Sequence, residues 1–344
     1  MSIWTSGADH TVVLLGAGAS KGSEKSLPTM QGFFGPTLEA IHPELARFLA
    51  WFYGHENLDR YNVEDVLSYL DLAHARVPKW TGAASVGALN PQMPSYELLL
   101  DYISTRLEVT GPPCSLHRQL IERLQPADTI LTLNYDRVCD DALKDLETQK
   151  GGPAVGDRLS KLSGLLGRPA FMGGEPVALL PRETASGFYL KLHGSLDWLY
   201  CPNPRCENAS RYYALSSEHI VDGQEAGRPC RRCGNLLRAF IVPPIATKAI
   251  EHEGPLAFIW SVALNALAHA KKIVVVGVSF TPSDQELRWL IRQSTALSGF
   301  PLSVDLVNPD GAHRVTALSL VRRPDVVRHF ATLEDYLEDR QVGA

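Results

Sequence analysis

Four cysteines, one histidine and an asparagine-aspartate pair are the residues of this chain whose types and spacing could do chemistry. Cys201 and Cys206 have four residues between them, Cys230 and Cys233 have two, and a loop of 23 residues separates the pairs. Two such hooks can supply a tetrahedral four-thiolate site for zinc, and a site closed in this way holds structure and has no open position for catalysis. Eight residues before the first cysteine stands His193, in the run LKLHGSLDWLY. Imidazole has the ordinary pKa best suited to moving a proton near neutral pH, which makes His193 a candidate general base. A buried histidine satisfied by backbone groups is the plainer alternative. Gly194 removes side-chain bulk beside the ring, where a substrate could come close. Asn134 and Asp136 lie in TLNYD: Asn tolerates strained turns and Asp caps helices, but together at a strand end they could orient hydroxyls or a water. Gly16, Ala17, Gly18, Ala19 and Ser20 form GAGAS, whose small residues let backbone approach a phosphate; a tight turn with no ligand explains that motif alone equally well.

The elements needed to position these residues are legible as periodicity. TVVLL (11–15) is a buried strand that ends in GAGAS, and TILTL (129–133) is a second that ends in NYD. FYLKL is a third, so LKLHGSLDWLY reads as a central strand with His193 at its exit and Asp197 to Tyr200 leading into the cysteines. KKIVVVGVSF and PLSVDLVNP are further strands, each followed by a helical pattern. Between the first two strands, HPELARFLAWFY, VEDVLSYLDLAHA, SYELLLDYISTRL and SLHRQLIERL repeat apolar residues at three and four, a helical insertion over 30–126. Residues 150–187, rich in Gly and Pro, read as an irregular connection. Strands alternating with helices predict an α/β fold: a doubly wound, parallel, Rossmann-like sheet with that helical insertion and a small zinc-ribbon-like module over 199–240. The chain, 1–344, is expected to be one catalytic unit. Ligands of such sheets bind at the carboxyl ends of the strands, where GAGAS, NYD, HGS, GVSF and NP all fall.

Composition narrows the class of function. Apolar residues make up 45% and charged residues 21% of 344, as in an ordinary globular protein. The 33 Lys and Arg are scattered among 38 Asp and Glu, a formal charge of −5, so nucleic acid is not indicated. No apolar run approaches the roughly 18–20 residues of a membrane span and MSIWTSGADH lacks the pattern of a signal peptide, so the expected location is cytoplasmic. In a reducing compartment clustered cysteines favour metal over disulfides, while the isolated Cys114 and Cys139 read as small buried residues.

The order GAGAS, TLNYD, LHGS, paired cysteines, IVPP, VVVGVSF and VNP resembles the sirtuin-like (silent information regulator-like) superfamily of NAD-consuming domains, over about residues 11–310. The resemblance implies NAD as the substrate and a structural Zn2+ on Cys201, Cys206, Cys230 and Cys233. It implies that Gly16, Ala17, Gly18, Ala19 and Ser20 line the pyrophosphate, and that Asn134 and Asp136 face the nicotinamide ribose. His193 becomes the base, Gly277 and Ser279 contact phosphate or ribose, and Asn308 holds the adenosine ribose.

Departures from the protein-deacylase pattern point within the superfamily. LPTMQGFF keeps Pro28 but lacks the deacylases' arginine; Leu133 stands where they have glutamine before Asn134; NYDRV has no histidine after the aspartate. TLNYD instead resembles the branch whose members hydrolyse NAD, often in bacterial defence against phage. The expectation is an NAD glycohydrolase releasing nicotinamide and ADP-ribose, with His193 and Asn134 catalytic. The alternatives are an NAD-dependent protein deacylase and a non-catalytic NAD or ADP-ribose sensor. By analogy, a homo-oligomer or a separately encoded partner such as an ATPase would supply activation.

Overall fold

A computed structural model describes residues 10–30, 32–35, 37–54, 61–73, 94, 96–150, 187–201, 203, 205–207, 212–214, 229–242, 255–298, 301–322 and 324–339. Most of the connection read over 150–187, and the Pro-Pro of IVPP, lie outside them. The chain divides into two compact units, one carrying the sheets and one formed within Leu27–Glu108. In chain order the elements are β1 (Thr11–Leu15), α1 (Ala17–Lys21), α2 (Leu38–Ile41), α3 (Pro43–Tyr53), α4 (Val63–Asp71), α5 (Tyr96–Arg106), α6 (Ser115–Glu122), β2 (Thr129–Thr132) and α7 (Val138–Lys150). They continue with β3 (Tyr189–Lys191), β4 (Gly194–Tyr200), β5 (Tyr212–Ala214), β6 (Arg238–Ile241), α8 (Pro255–Ala268), β7 (Lys272–Val276), α9 (Gln285–Leu297), β8 (Ser303–Val307), α10 (Gly311–Leu320), β9 (Val326–Phe330) and α11 (Leu333–Glu338).

The second unit holds α2 to α5. Leu45, Ala46, Phe48 and Leu49 of α3 recur on one helical face and are buried, and Asn62 caps α4 by accepting from the Glu64 amide at 2.8 Å. Phe34 stacks on Tyr102 of α5, with Phe33 edge-on to both. Of the helical block read over 30–126, α6 lies in the sheet unit instead.

The main sheet runs β3-β2-β1-β7-β8-β9, with every pair parallel. β1, β2 and β7 are apolar runs buried on both faces, as a sheet sandwiched between crossover helices requires. The chain proceeds outward from β1 through β2 to β3, then returns to the other side of β1 for β7, β8 and β9. This is the doubly wound α/β arrangement expected, with the topological switch between β1 and β7. β9, an exposed edge strand, has no counterpart in the sequence reading.

LKLHGSLDWLY is not one strand. β3 ends at Lys191, Leu192 and His193 turn, and β4 then pairs antiparallel with β5 and β6 in a separate three-stranded sheet. Both halves are buried, one in each sheet, so their hydropathy is continuous across the break. Gly194 makes the turn. Its φ is +80° and an added Cβ would lie 2.3 Å from the carbonyl oxygen of Phe240 in β6, so glycine is required by backbone packing and not to clear room for a substrate.

Candidate active site

Register alone assembles the row of residues at the carboxyl edge of the main sheet. Lys191, Thr132, Leu15, Val276, Val307 and Phe330 are successive partners across its six strands. The residues just beyond them include His193, Asn134, Gly16, Gly277 and Asn308, so five sequence-derived candidates leave the sheet side by side.

At the switch point the loops after β1 and β7 nest. The Gly16 amide donates to Val276 O at 2.9 Å and the Gly18 amide to Gly277 O at 3.0 Å. Gly277 has φ +63°, and an added Cβ would lie 2.3 Å from the Ala19 nitrogen; on Gly18 it would lie 2.6 Å from the Gly277 Cα. These glycines are therefore fixed by backbone against backbone, whatever else the loop binds. Ala17 is half-buried, whereas Ala19 and Ser20 are buried.

Ser20 is tied to the loop after β2. Its hydroxyl donates to Asp136 Oδ2 at 2.9 Å, and Asn134 Nδ2 lies 3.1 Å from both Ser20 Oγ and Gly16 O. Asp136 Oδ1 accepts from the Val138 amide at 3.0 Å, so Asp136 does cap α7 as its type suggests. With its amide donors engaged, Asn134 keeps Oδ1, which accepts no hydrogen bond among the described residues and can receive one from a water or a ribose hydroxyl.

His193 is buried in a framed setting. Its ring is stacked with Trp260 of α8, centroids 6.2 Å apart and planes at 23°, with Tyr135 at 6.4 Å. Trp260 Nε1 donates to Leu192 O at 2.8 Å and the Val242 amide to His193 O at 2.9 Å, which fixes the backbone that carries the imidazole. Asp284, buried at the start of α9, has Oδ2 3.5 Å from His193 Nε2. Neither Trp260 nor Asp284 stands out in the sequence, because one sits in an apolar helix and the other reads as an ordinary helix cap.

Below this edge Lys191 is fully buried. Its Nζ donates to Asp136 O at 2.7 Å and to Asp140 Oδ2 at 2.8 Å, and Tyr189 donates to the same carboxylate oxygen. Burial opposes the lysine's charge, but the carboxylates of Asp140 and Asp197 outweigh it and hold its pKa above the ordinary value; burial pushes Asp140 up to about 6. Lys191 thus couples the strand before His193 to the loop holding Asn134 and Asp136.

The remaining candidates are placed differently. Asn308 donates to Val278 O at 3.3 Å and accepts from the Asp310 amide at 3.0 Å, while Ser279 is exposed on the loop after Gly277. Both isolated cysteines are buried. Cys114 donates to Glu24 Oε2 at 2.8 Å and lies 3.1 Å from His117 Nδ1, and burial pushes its thiol up to about 11, so it is no thiolate nucleophile.

The four remaining cysteines meet. The sulfurs of Cys201, Cys206, Cys230 and Cys233 all lie within 4.8 Å of one another, with Cys201 to Cys233 at 3.4 Å and Cys206 to Cys230 at 3.9 Å. A tetrahedron of thiolates about 2.3 Å from zinc has edges of roughly 3.8 Å, so the cluster fits that ion. Leu199 and Leu237 pack against it, and an isolated bridge between Pro229 and Leu236 closes the second hook.

No protein-family model and no curated protein matches this chain. Among solved structures 28 chains match. One is a Sir2 point mutant with a p53 peptide and NAD, 15% identical, aligned over 97% of this chain and 91% of that one, at a TM-score of 0.39. No described helix is long and apolar enough to cross a membrane.

Proposed function

We propose that this chain is an NAD glycohydrolase that cleaves the bond between nicotinamide and ribose. The observation that carries the reading is the alignment of His193 and Asn134 beyond paired residues of β3 and β2, beside a switch point of Rossmann type, with Ser20 and Asp136 joined to Asn134 in one buried network.

The chemistry fits these groups. In NAD the nicotinamide nitrogen is already cationic, so the bond breaks with its electron pair passing to nicotinamide, which leaves neutral without help from an acid. Positive charge then develops on the ribose, and a preorganised buried carboxylate, Asp136, stabilises it electrostatically. Asn134 Oδ1 orients the incoming water. That water adds to the ribose carbon and gives its proton to His193, completing ADP-ribose. Gly16, Ala17, Gly18, Ala19 and Ser20 hold the pyrophosphate in this reading, while Gly277, Ser279 and Asn308 contact the rest of the nucleotide. Zinc on the four cysteines would stiffen β4 and β6 beside the site; with four protein ligands it leaves no position for water.

The absence of the deacylase arginine and glutamine favours water over an acyl-lysine as the nucleophile. Supplying an acetylated peptide together with NAD tests that choice. ADP-ribose is expected with and without peptide, and formation of O-acetyl-ADP-ribose would move the chain to the deacylases.

A further inference from the structure

Asp284 occupies the N-cap position of α9, yet its side chain makes no capping hydrogen bond. The same chain shows what an aspartate does there when left to local forces. Asp310 accepts from the Ala312 amide at 2.7 Å to cap α10, and Asp136 accepts from the Val138 amide to cap α7. Asp284 instead turns Oδ2 toward His193 Nε2, at 3.5 Å, and both side chains are more than nine-tenths buried.

The loop that delivers it is unusual. Between β7 and α9 the backbone takes positive φ at Gly277 (63°) and again at Phe280 (51°), a conformation a bulky residue adopts only when its surroundings impose it. Phe280 is buried and its carbonyl accepts from Arg288 Nη1 at 2.8 Å; the Asp284 amide donates to Thr281 O at 3.1 Å. A strained loop pinned at both ends thus forgoes a helix cap and brings a carboxylate to the histidine.

We infer that Asp284 is the positioning residue of His193: it accepts the proton on Nε2, fixes that tautomer, and leaves Nδ1 as the nitrogen that takes a proton from the nucleophile. This rests on the glycohydrolase reading for its role in the reaction, though not for its geometry. When water attacks, its proton passes to Nδ1, and the resulting imidazolium is balanced by the carboxylate. Among the described residues Tyr135, from the loop after β2, and Trp260 of α8 also face the ring. Neither is charged at neutral pH, whereas Asp284 is a carboxylate within ion-pair range of the ring.

Nitrogen-15 NMR of histidine-labelled wild type tests the pair with Asp284 intact, the His193 signals being assigned by their loss in His193→Ala. Above its titration the neutral ring is expected as the Nε2–H tautomer; the Nδ1–H tautomer would overturn the inference. Asp284→Asn is expected to move the titration of His193, and the acid limb of the pH profile for nicotinamide release, to lower pH. It is also expected to lower kcat by about 100-fold with a much smaller change in KM, with Asp284→Glu recovering part of the loss. A titration and acid limb that stay in place in a folded Asp284→Asn protein would also overturn it. If wild type released no nicotinamide, the reaction reading would fall while the tautomer and titration still judged the pair.

Discussion

Asn134 Nδ2 lies 3.1 Å from Ser20 Oγ, and that hydroxyl donates onward to Asp136, so the loops after β1 and β2 share one buried chain of hydrogen bonds. Asn134→Ala removes the donor at the head of the chain and leaves Gly16 O without its side-chain donor. The expected loss is about 1–2 kcal/mol of stability, read by denaturant unfolding, with at least about 100-fold lower nicotinamide release. Release near the wild-type rate from a folded Asn134→Ala protein would remove Asn134 from the chemistry.

Gly277→Ala tests the nested loops. The added methyl meets backbone at 2.3 Å, where no flexible side chain can yield, and at a positive φ. The variant is expected to lose more than about 2 kcal/mol, measured by its midpoint in urea, or to fail to fold. A neutral substitution would show that the two loops can separate.

The same loops show what sequence could and could not reveal. GAGAS, NYD, HGS and GVSF are recognisable because each follows an apolar strand, and parallel register then places them in one row. The division of LKLHGSLDWLY between two sheets is hidden, since Leu190 and Trp198 are equally buried on either side of the turn. Asp284 is hidden for another reason: an aspartate before a helix is so well explained as a cap that only the folded chain shows the carboxylate turned elsewhere. Gly194 misleads in the same way, because its neighbour in space, Phe240, is distant in sequence.

Metal replacement separates structure from chemistry at the cysteine cluster. Purified protein is expected to hold about one zinc per chain by elemental analysis, and Cys230→Ser to lose it with a lower melting temperature. Protein loaded with cadmium should release nicotinamide within about threefold of the zinc form, since a closed four-thiolate site contributes no ligand position. A large change in rate on exchange would place the metal in the reaction.

Stability should fall in acid through His10. Burial lowers its pKa from 6.5 to about 4, so the unfolded chain takes up this proton first, and folding weakens as pH drops from 6.5 toward 4. Asp140 acts with the opposite sign: its value is raised from 3.8 to about 6, so its ionisation destabilises the fold as pH rises through that window. The difference between wild type and His10→Gln isolates the first effect. It is expected to shrink by at most about 3 kcal/mol between pH 7 and pH 4 in urea titrations, and a pH-independent difference would contradict it.

The most direct test of the central claim is chromatographic measurement of nicotinamide and ADP-ribose from NAD incubated with purified wild type and with His193→Ala, together with NAD affinity for both. Equal amounts of the two products from wild type, and at least about 100-fold less from a His193→Ala protein that still binds NAD, is the expected result. Wild type that binds NAD and releases no nicotinamide, under any oligomeric state or with any activating partner, would contradict it.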